Sequence, residues 1–324
     1  MAQVETVLGP VDVESLGFTL MHEHIVLIDP ETEINRLSGW TDEQGIPAAA
    51  RELRLARAAG VGTVVDLTAI GMGRNVGRVR RIAAAGGVNV VVATGVYTFD
   101  KLPRYFSLRG PGTRNGGPEL LEALFVREIT DGIADTGVRA GIIKCTTDAP
   151  GITPDIERIL RAAALASRRT GAPISTHTHA ATFRGRDQQR LFRSLGVDLG
   201  RVVIGHCGDS TDLAYLTELM EAGSYIGMDR FGSDAMLPAA QRLEVLLALI
   251  ARGYAERMVL SHDTNCYSDG FEPEARRQQW PNGSFRYIPE QVIPALREAG
   301  VAEAQIAQMT VENPRRLFSR RDPY

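Results

Sequence analysis

Cysteine is scarce. The 324 residues hold three, Cys145, Cys207 and Cys266, odd in number and far apart. That excludes a disulfide framework and points to a reducing, cytoplasmic compartment. No apolar run approaches the roughly 20 residues of a membrane span. The first stretch, MAQVETVLGPVDVESLG, lacks the basic start and apolar run of a signal peptide. An excess of one charge is missing too. The formal net charge is −3, so there is no overall electrostatic footprint for nucleic acid. The one dense basic cluster, Arg315, Arg316, Arg320 and Arg321, reads as the solvated face of a last helix. No low-complexity segment and no shift in composition marks a boundary, so residues 1–324 read as one domain.

Apolar residues make up 44% and charged residues 23%, the balance of a globular protein. Short β-rich runs recur at 18–27, 63–68, 89–97, 141–147, 173–179, 201–206, 224–229 and 257–263. Helical patterns lie between them, at 46–59, 74–85 and 118–136. The best marked is TPDIERILRAAALASRRTG, with Thr153 as N-cap, Pro154 at the first helical position and Gly171 just past the end. STDLAYLTELMEAG repeats the design, with Ser210 as cap and Gly223 as stop. Strands alternating with helices imply parallel pairing through right-handed crossovers. Eight such units give the (β/α)8 TIM barrel pattern. An open doubly wound sheet would carry a Gly-rich phosphate loop after its first strand; that place holds HEHIVLIDP. Residues 264–287 resist assignment.

The six histidines, His22, His24, His177, His179, His206 and His262, all fall in or at the end of an expected strand. Residues two apart on a strand share a face, so His22 and His24 project together and Glu23 points the other way. In a barrel the C-terminal strand ends meet at one rim, which brings His22, His24, His177, His206 and Asp263 together. A satisfied buried histidine would account for one or two of these positions, not for all the strand ends. Lys144, in GIIKCTT, is equally out of place in an apolar strand. It could pair with a carboxylate. It could be a Schiff-base lysine, as in barrel aldolases. Or its neutral amine could have captured carbon dioxide, giving a carbamate that bridges two metal ions. The histidines favour the last, because a binuclear site needs neutral nitrogen donors and a bridging anion.

The motifs MHEH, IIKCTTD, PISTHTHA, VIGHCGD, GMDRFG and LSHD, in this order from about residue 6 to TVENPRRLF, resemble those of a phosphotriesterase-like lactonase of the amidohydrolase superfamily. The resemblance implies two divalent metal ions per chain. His22, His24 and Asp263 would hold the more buried ion and His177 and His206 the more exposed one. Carboxylated Lys144 and a hydroxide would bridge them. Spacing does not choose between His177 and His179; only the resemblance favours His177. His179 and His262 are expected to pack or support. Nitrogen, carboxylate and carbamate donors suit zinc, cobalt, iron or manganese. A homodimer is also suggested by the resemblance. Cys145 follows Lys144 and Cys207 follows His206, so both thiols should face the helix layer.

A hydroxide between two cations could attack a carbonyl carbon or a phosphorus. Asp263 would take its proton and pass it to the leaving oxygen. Tyr97, ending ATGVY, and Arg230, in MDRFG, stand where the lactonase branch carries a tyrosine and an arginine. Tyr97 would orient the ring or donate to the leaving oxygen, and Arg230 with Asp209 would support proton exit. The short return to a helix after the seventh strand favours the same branch. Phe271 and Trp280, in the unassigned stretch, either pin it to the barrel or wall a groove for an acyl chain. The expected activity is hydrolysis of lactones, N-acyl homoserine lactones first, with a side activity on phosphotriesters. The alternatives are a dedicated organophosphate hydrolase, a Schiff-base aldolase using Lys144, and a barrel that only binds a ligand.

Overall fold

The structure is a computed structural model that describes residues 2–320 and 322–324, with only the backbone of Pro273 and Gln279. Its frame is a parallel sheet of eight strands in chain order: Phe18–Leu27, Val61–Asp66, Asn89–Gly95, Ile142–Thr147, Ile174–Thr178, Val202–Ile204, Tyr225–Met228 and Met258–Leu260. The eighth strand returns to the first. The Asp263 N–H donates to the His22 carbonyl at 3.0 Å, and the His22 N–H donates to Ser261 Oγ at 2.8 Å. The chain then continues into Asn265–Ser268, which pairs in parallel with the outer end of the first strand, Asn265 opposite His24. The expected (β/α)8 barrel is therefore present.

Away from one bulge in the first strand, side chains alternate between two cores. Val65, Val91, Ala93, Ile142, Val203, Tyr225 and Val259 fill the interior. Their neighbours Val64, Val90, Val92, Ile143, Val202, Ile226, Met258 and Leu260 pack outward against the helices. Cys145 and Cys207 belong to the outer core, as the alternation from Lys144 and His206 requires. The three cysteines are free thiols. Val4 and Val13, in and beside the N-terminal hairpin Gln3–Thr6 and Gly9–Asp12, join the inner core. Leu317 and Phe318 of the last helix, Asn313–Ser319, do the same. Around that helix Arg315 pairs with Glu14 and Glu312, and Arg320 with Asp198. Arg321 lies outside the described residues.

Helix signals were partly misplaced. Pro154–Thr170 follows expectation: Thr153 accepts from the Ile156 N–H, and Gly171 takes the left-handed conformation. The helix expected at 46–59 starts earlier, as Asp42–Ala58, because Thr41 caps it and Pro47 is tolerated within it. Leu213–Glu221 is capped by Asp212, not Ser210. The nearer oxygen wins, since an N-cap must reach an N–H two or three residues on. The pattern at 74–85 corresponds to Val76–Gly86, which ends one residue later, and that at 118–136 contains Leu121–Thr130. The unassigned stretch 264–287 holds the extra strand and a short helix, Pro273–Gln279. Among the described residues, no helix is long and apolar enough to cross a membrane.

Candidate active site

The first strand slips register against the second between Leu20 and Glu23. One extra residue fits in there, a β-bulge. Met21 therefore joins the inner core while His22 also turns inward. Glu23 faces out and is fully buried. Its carboxylate accepts from the Ser261 hydroxyl, from the N–H groups of His262 and Thr264, and contacts His262 Nδ1. The Ile288 N–H donates to His262 Nε2. Glu23 thus clamps the backbone on both sides of Asp263, whose φ is 55°. His206 is likewise left-handed at φ 58°. Such a conformation costs a residue with a Cβ about 1–3 kcal/mol, and here it follows directly on two strand ends that aim side chains at one cavity.

One buried carboxylate orients two rings. Asp229 lies 2.7 Å from His22 Nδ1 and 3.1 Å from His206 Nδ1, and it accepts from the His206 N–H. Gly227 makes room for it: a Cβ there would sit 2.4 Å from Asp229 Oδ2. With Nδ1 engaged, both Nε2 atoms are left for the cavity. His22 Nε2 faces Lys144 Nζ at 2.8 Å and Asp263 Oδ1 at 3.6 Å. His24 Nε2 lies 3.2 Å from Asp263 Oδ1, and the Thr68 hydroxyl, 2.9 Å from Nδ1, sets that ring. His206 Nε2 meets His177 Nδ1 at 3.0 Å, and Asp148 holds His177 Nε2 at 2.6 Å. His179 turns to the Thr182 hydroxyl and does not line the cavity.

Burial disfavours the charged form of His22, His177 and His206. It lowers the pKa of His22 and of His206, and takes His177 down to about 4. Burial also brings Lys144 down to about 8. For Asp263, burial acts upward but His206 and His22 prevail and hold it well below the usual carboxylate range. Neutral nitrogen, carboxylate and an amine that sheds its proton near neutral pH are the forms that bind a divalent cation or react with carbon dioxide.

The residues present fit such a centre. Lys144 is fully buried, yet among the described residues its ammonium is in no ion pair within direct contact, and its one hydrogen-bond partner is the His22 ring. His177 Nδ1 and His206 Nε2, 3.0 Å apart, are also close enough to serve as neighbouring donors to one cation. His22, His24 and Asp263 form one compact donor group. A second group combines His22, His206 and Asp229, but the Asp229 oxygens are already taken by Nδ1 and N–H groups outside the cavity. Asp229 therefore orients the two rings.

The cavity is about 230 Å³ and is lined by the four inward histidines, Asp263, Tyr97 and Arg230. Arg230 Nε donates to Asp263 Oδ2 at 2.9 Å and Nη1 to Asp209 Oδ2 at 2.6 Å. Asp209 pairs in turn with buried Arg242 at 2.7 Å. The Tyr97 ring stands edge-on to His177, centroids 5.6 Å apart. Phe271 and Trp280 line the cavity and pack on each other at 4.8 Å. Trp280 also donates to Ser233 Oγ, so it both pins the segment and walls the site. Tyr267 packs instead on Trp40, and Phe285 is buried in the outer core. Asp229, Asp148 and Thr68 were given no role by the sequence. The signal available was a polar residue at each strand end, in GMD, CTTD and DLT.

The sequence matches the phosphotriesterase family over residues 2–318. It is 51% identical to a phosphotriesterase homology protein of Mycobacterium tuberculosis, with both chains covered completely. It is 36% identical to an aryldialkylphosphatase of Saccharolobus solfataricus, covering 95% of this chain and 97% of that one. The solved structure of the phosphotriesterase from Mycobacterium tuberculosis superposes with a TM-score of 0.97 at 51% identity, over 99% of this chain and all of the other. With the barrel, the donor groups and these relatives in agreement, the chain belongs to the phosphotriesterase family, a family of hydrolases with a binuclear metal centre.

Proposed function

We propose that this enzyme hydrolyses lactones, N-acyl homoserine lactones foremost, with a weaker activity on phosphotriesters. The observation that carries the reading is the position of Tyr97. Its ring stands over His177 at the cavity wall. Burial first, then the charge of Asp263, raises its pKa, and among the described residues no hydrogen-bond partner acts on it. A phenol that stays protonated and unengaged is a donor in waiting for the ring oxygen of a lactone. A phosphotriester with a good leaving group needs no such donor.

His22, His24 and Asp263 would hold one divalent ion, and His177 and His206 the other, with Lys144 carboxylated on Nζ between them. When bound, the two ions, zinc, cobalt, iron or manganese by their donors, supply Lewis acidity and acidify water. The chain's own groups do the rest. Asp263 accepts the proton of the attacking water on a carboxylate oxygen and returns it to the alkoxide, which in a lactone stays tethered to the product. Arg230 holds Asp263 Oδ2 and ties it to Asp209 by a second hydrogen bond, which fixes the carboxylate for both proton transfers. Leu27, Met72, Phe231, Met236, Phe271 and Trp280 give the cavity an apolar wall for an acyl chain. At about 230 Å³ the cavity is smaller than the roughly 300–1,000 Å³ of drug-sized pockets, which suits a compact ring with a short chain. We expect the enzyme to act in the cytoplasm as a homodimer.

The aryldialkylphosphatase relative supports one other reading, a dedicated organophosphate hydrolase. The complete donor set argues against a Schiff-base aldolase and against a barrel that only binds. The test is kcat/KM on an N-acyl homoserine lactone and on a phosphotriester, measured on one metal-loaded preparation. A higher value for the lactone is expected. A higher value for the phosphotriester would transfer the assignment to the organophosphate hydrolase.

A further inference from the structure

Two arginines line the cavity, Arg230 and Arg276. They are not equivalent. Arg230 is neutralised by Asp263 at 2.9 Å and by Asp209 at 2.6 Å. Arg276 is in no ion pair among the described residues. Among the described residues its guanidinium makes one hydrogen bond, from Nη2 to the Asn265 carbonyl at 2.5 Å. A guanidinium carries five N–H donors, so most of its capacity is unspent. Its environment offers no compensation: burial pulls its pKa down, and only the Cys266 thiol acts the other way. The amide of Asn265, also on the cavity wall, has a buried Oδ1 without a partner.

A half-buried cation beside a substrate cavity is costly to keep unless something anionic arrives to meet it. An arginine fork recognises planar oxyanions in two-point fashion. The apolar wall formed by Leu27, Phe271 and Trp280 shares this cavity with the guanidinium. That combination matches a chain with methylenes along its length and a charge at its far end.

We infer that Arg276 anchors an anionic group on the substrate, so that the preferred lactone carries a side chain ending in a carboxylate, as in the half-amide of a dicarboxylic acid. The inference rests on the lactonase reading for its ring and on Arg276 alone for its charge. Arg276 is a specificity residue here and takes no part in bond breaking.

The experiment uses the metal-loaded enzyme and two homoserine lactones with acyl chains of equal length, one ending in methyl and one in carboxylate. The carboxylate compound should be favoured by at least about tenfold in kcat/KM, the scale of one charged hydrogen bond. Arg276→Gln should erase that preference through KM of the acidic substrate, and Arg276→Lys should restore part of it. A native enzyme that favours the methyl compound, or an Arg276→Gln enzyme that keeps the native preference, would overturn the inference. Calorimetry with adipate separates the two readings. If neither lactone is hydrolysed but adipate binds the native protein more tightly than Arg276→Gln, the lactonase reading fails and the anion site stands. Equal adipate binding by both proteins would sink the anion site.

Discussion

Lys144 Nζ lies 2.8 Å from His22 Nε2, deep inside the barrel. Nζ can donate to the ring, but a neutral imidazole does not neutralise a buried ammonium. Asp229 already holds the far nitrogen of the ring, and Lys144 is in no ion pair among the described residues. Burial brings the lysine down to about 8, so near neutral pH a fraction of it is free amine. A carboxyl group added to Nζ would supply the missing anion and turn this contact into a pair of ligands.

Asp263 joins the donor group to the Arg230–Asp209 chain. Asp263→Asn keeps an oxygen for coordination but accepts no proton. Lactone turnover should fall by at least ~100-fold, the usual weight of a general acid–base group, with metal still bound. Metal analysis beside kcat checks this. Near-native turnover at full metal content would remove Asp263 from proton transfer.

Asp229 touches no substrate space, yet it fixes His22 and His206 together. Asp229→Asn should weaken metal affinity about 10–100-fold, the range seen when a ligand's supporting hydrogen bond is lost. Competition with a chelator reads it directly. Affinity unchanged from native would mean the rings are held by packing alone.

Tyr97→Phe separates the two ester classes. Lactone hydrolysis should drop more than phosphotriester hydrolysis, because only the poorly leaving ring oxygen of the lactone needs a hydrogen bond from the phenol while Asp263 delivers the proton. Measuring kcat on both substrates with one preparation decides it; equal losses would make Tyr97 a wall residue.

Phe271 and Trp280 should set a slope. Each methylene buried against them contributes up to ~0.8 kcal/mol, so kcat/KM should rise with acyl length until the cavity is full. Phe271→Ala should flatten the rise without changing metal content. Trp280→Ala should do so with some loss of stability, since its indole N–H also ties the segment to Ser233. A native slope in both variants would leave these rings a purely structural role.

Much of this site was legible in the residues. Period-two alternation put His22 and His24 on one face and Glu23 on the other, and it sent Cys145 and Cys207 to the helix side. Lysine in an apolar strand announced itself by its cost. Other features were hidden for physical reasons. The bulge that turns both Met21 and His22 inward leaves no mark in composition. Asp229 and Asp148 end strands, where a carboxylate looks like the start of any loop. The extra strand Asn265–Ser268 is held by pairing with residues some 240 positions away, which no local pattern reveals. Spacing could not separate His177 from His179, and only the resemblance favoured His177; in the structure its ring meets His206, while His179 turns to Thr182.

The central claim is that Lys144 holds two metal ions together, and elemental analysis of native and Lys144→Ala protein tests it most directly. The native chain should carry about two divalent ions, by the logic of two-metal hydrolytic sites. Lys144→Ala should lose metal and most activity together, and part of both should return when a short carboxylate or bicarbonate is added to take the bridging place. A Lys144→Ala protein with the native metal count and undiminished turnover would contradict the account.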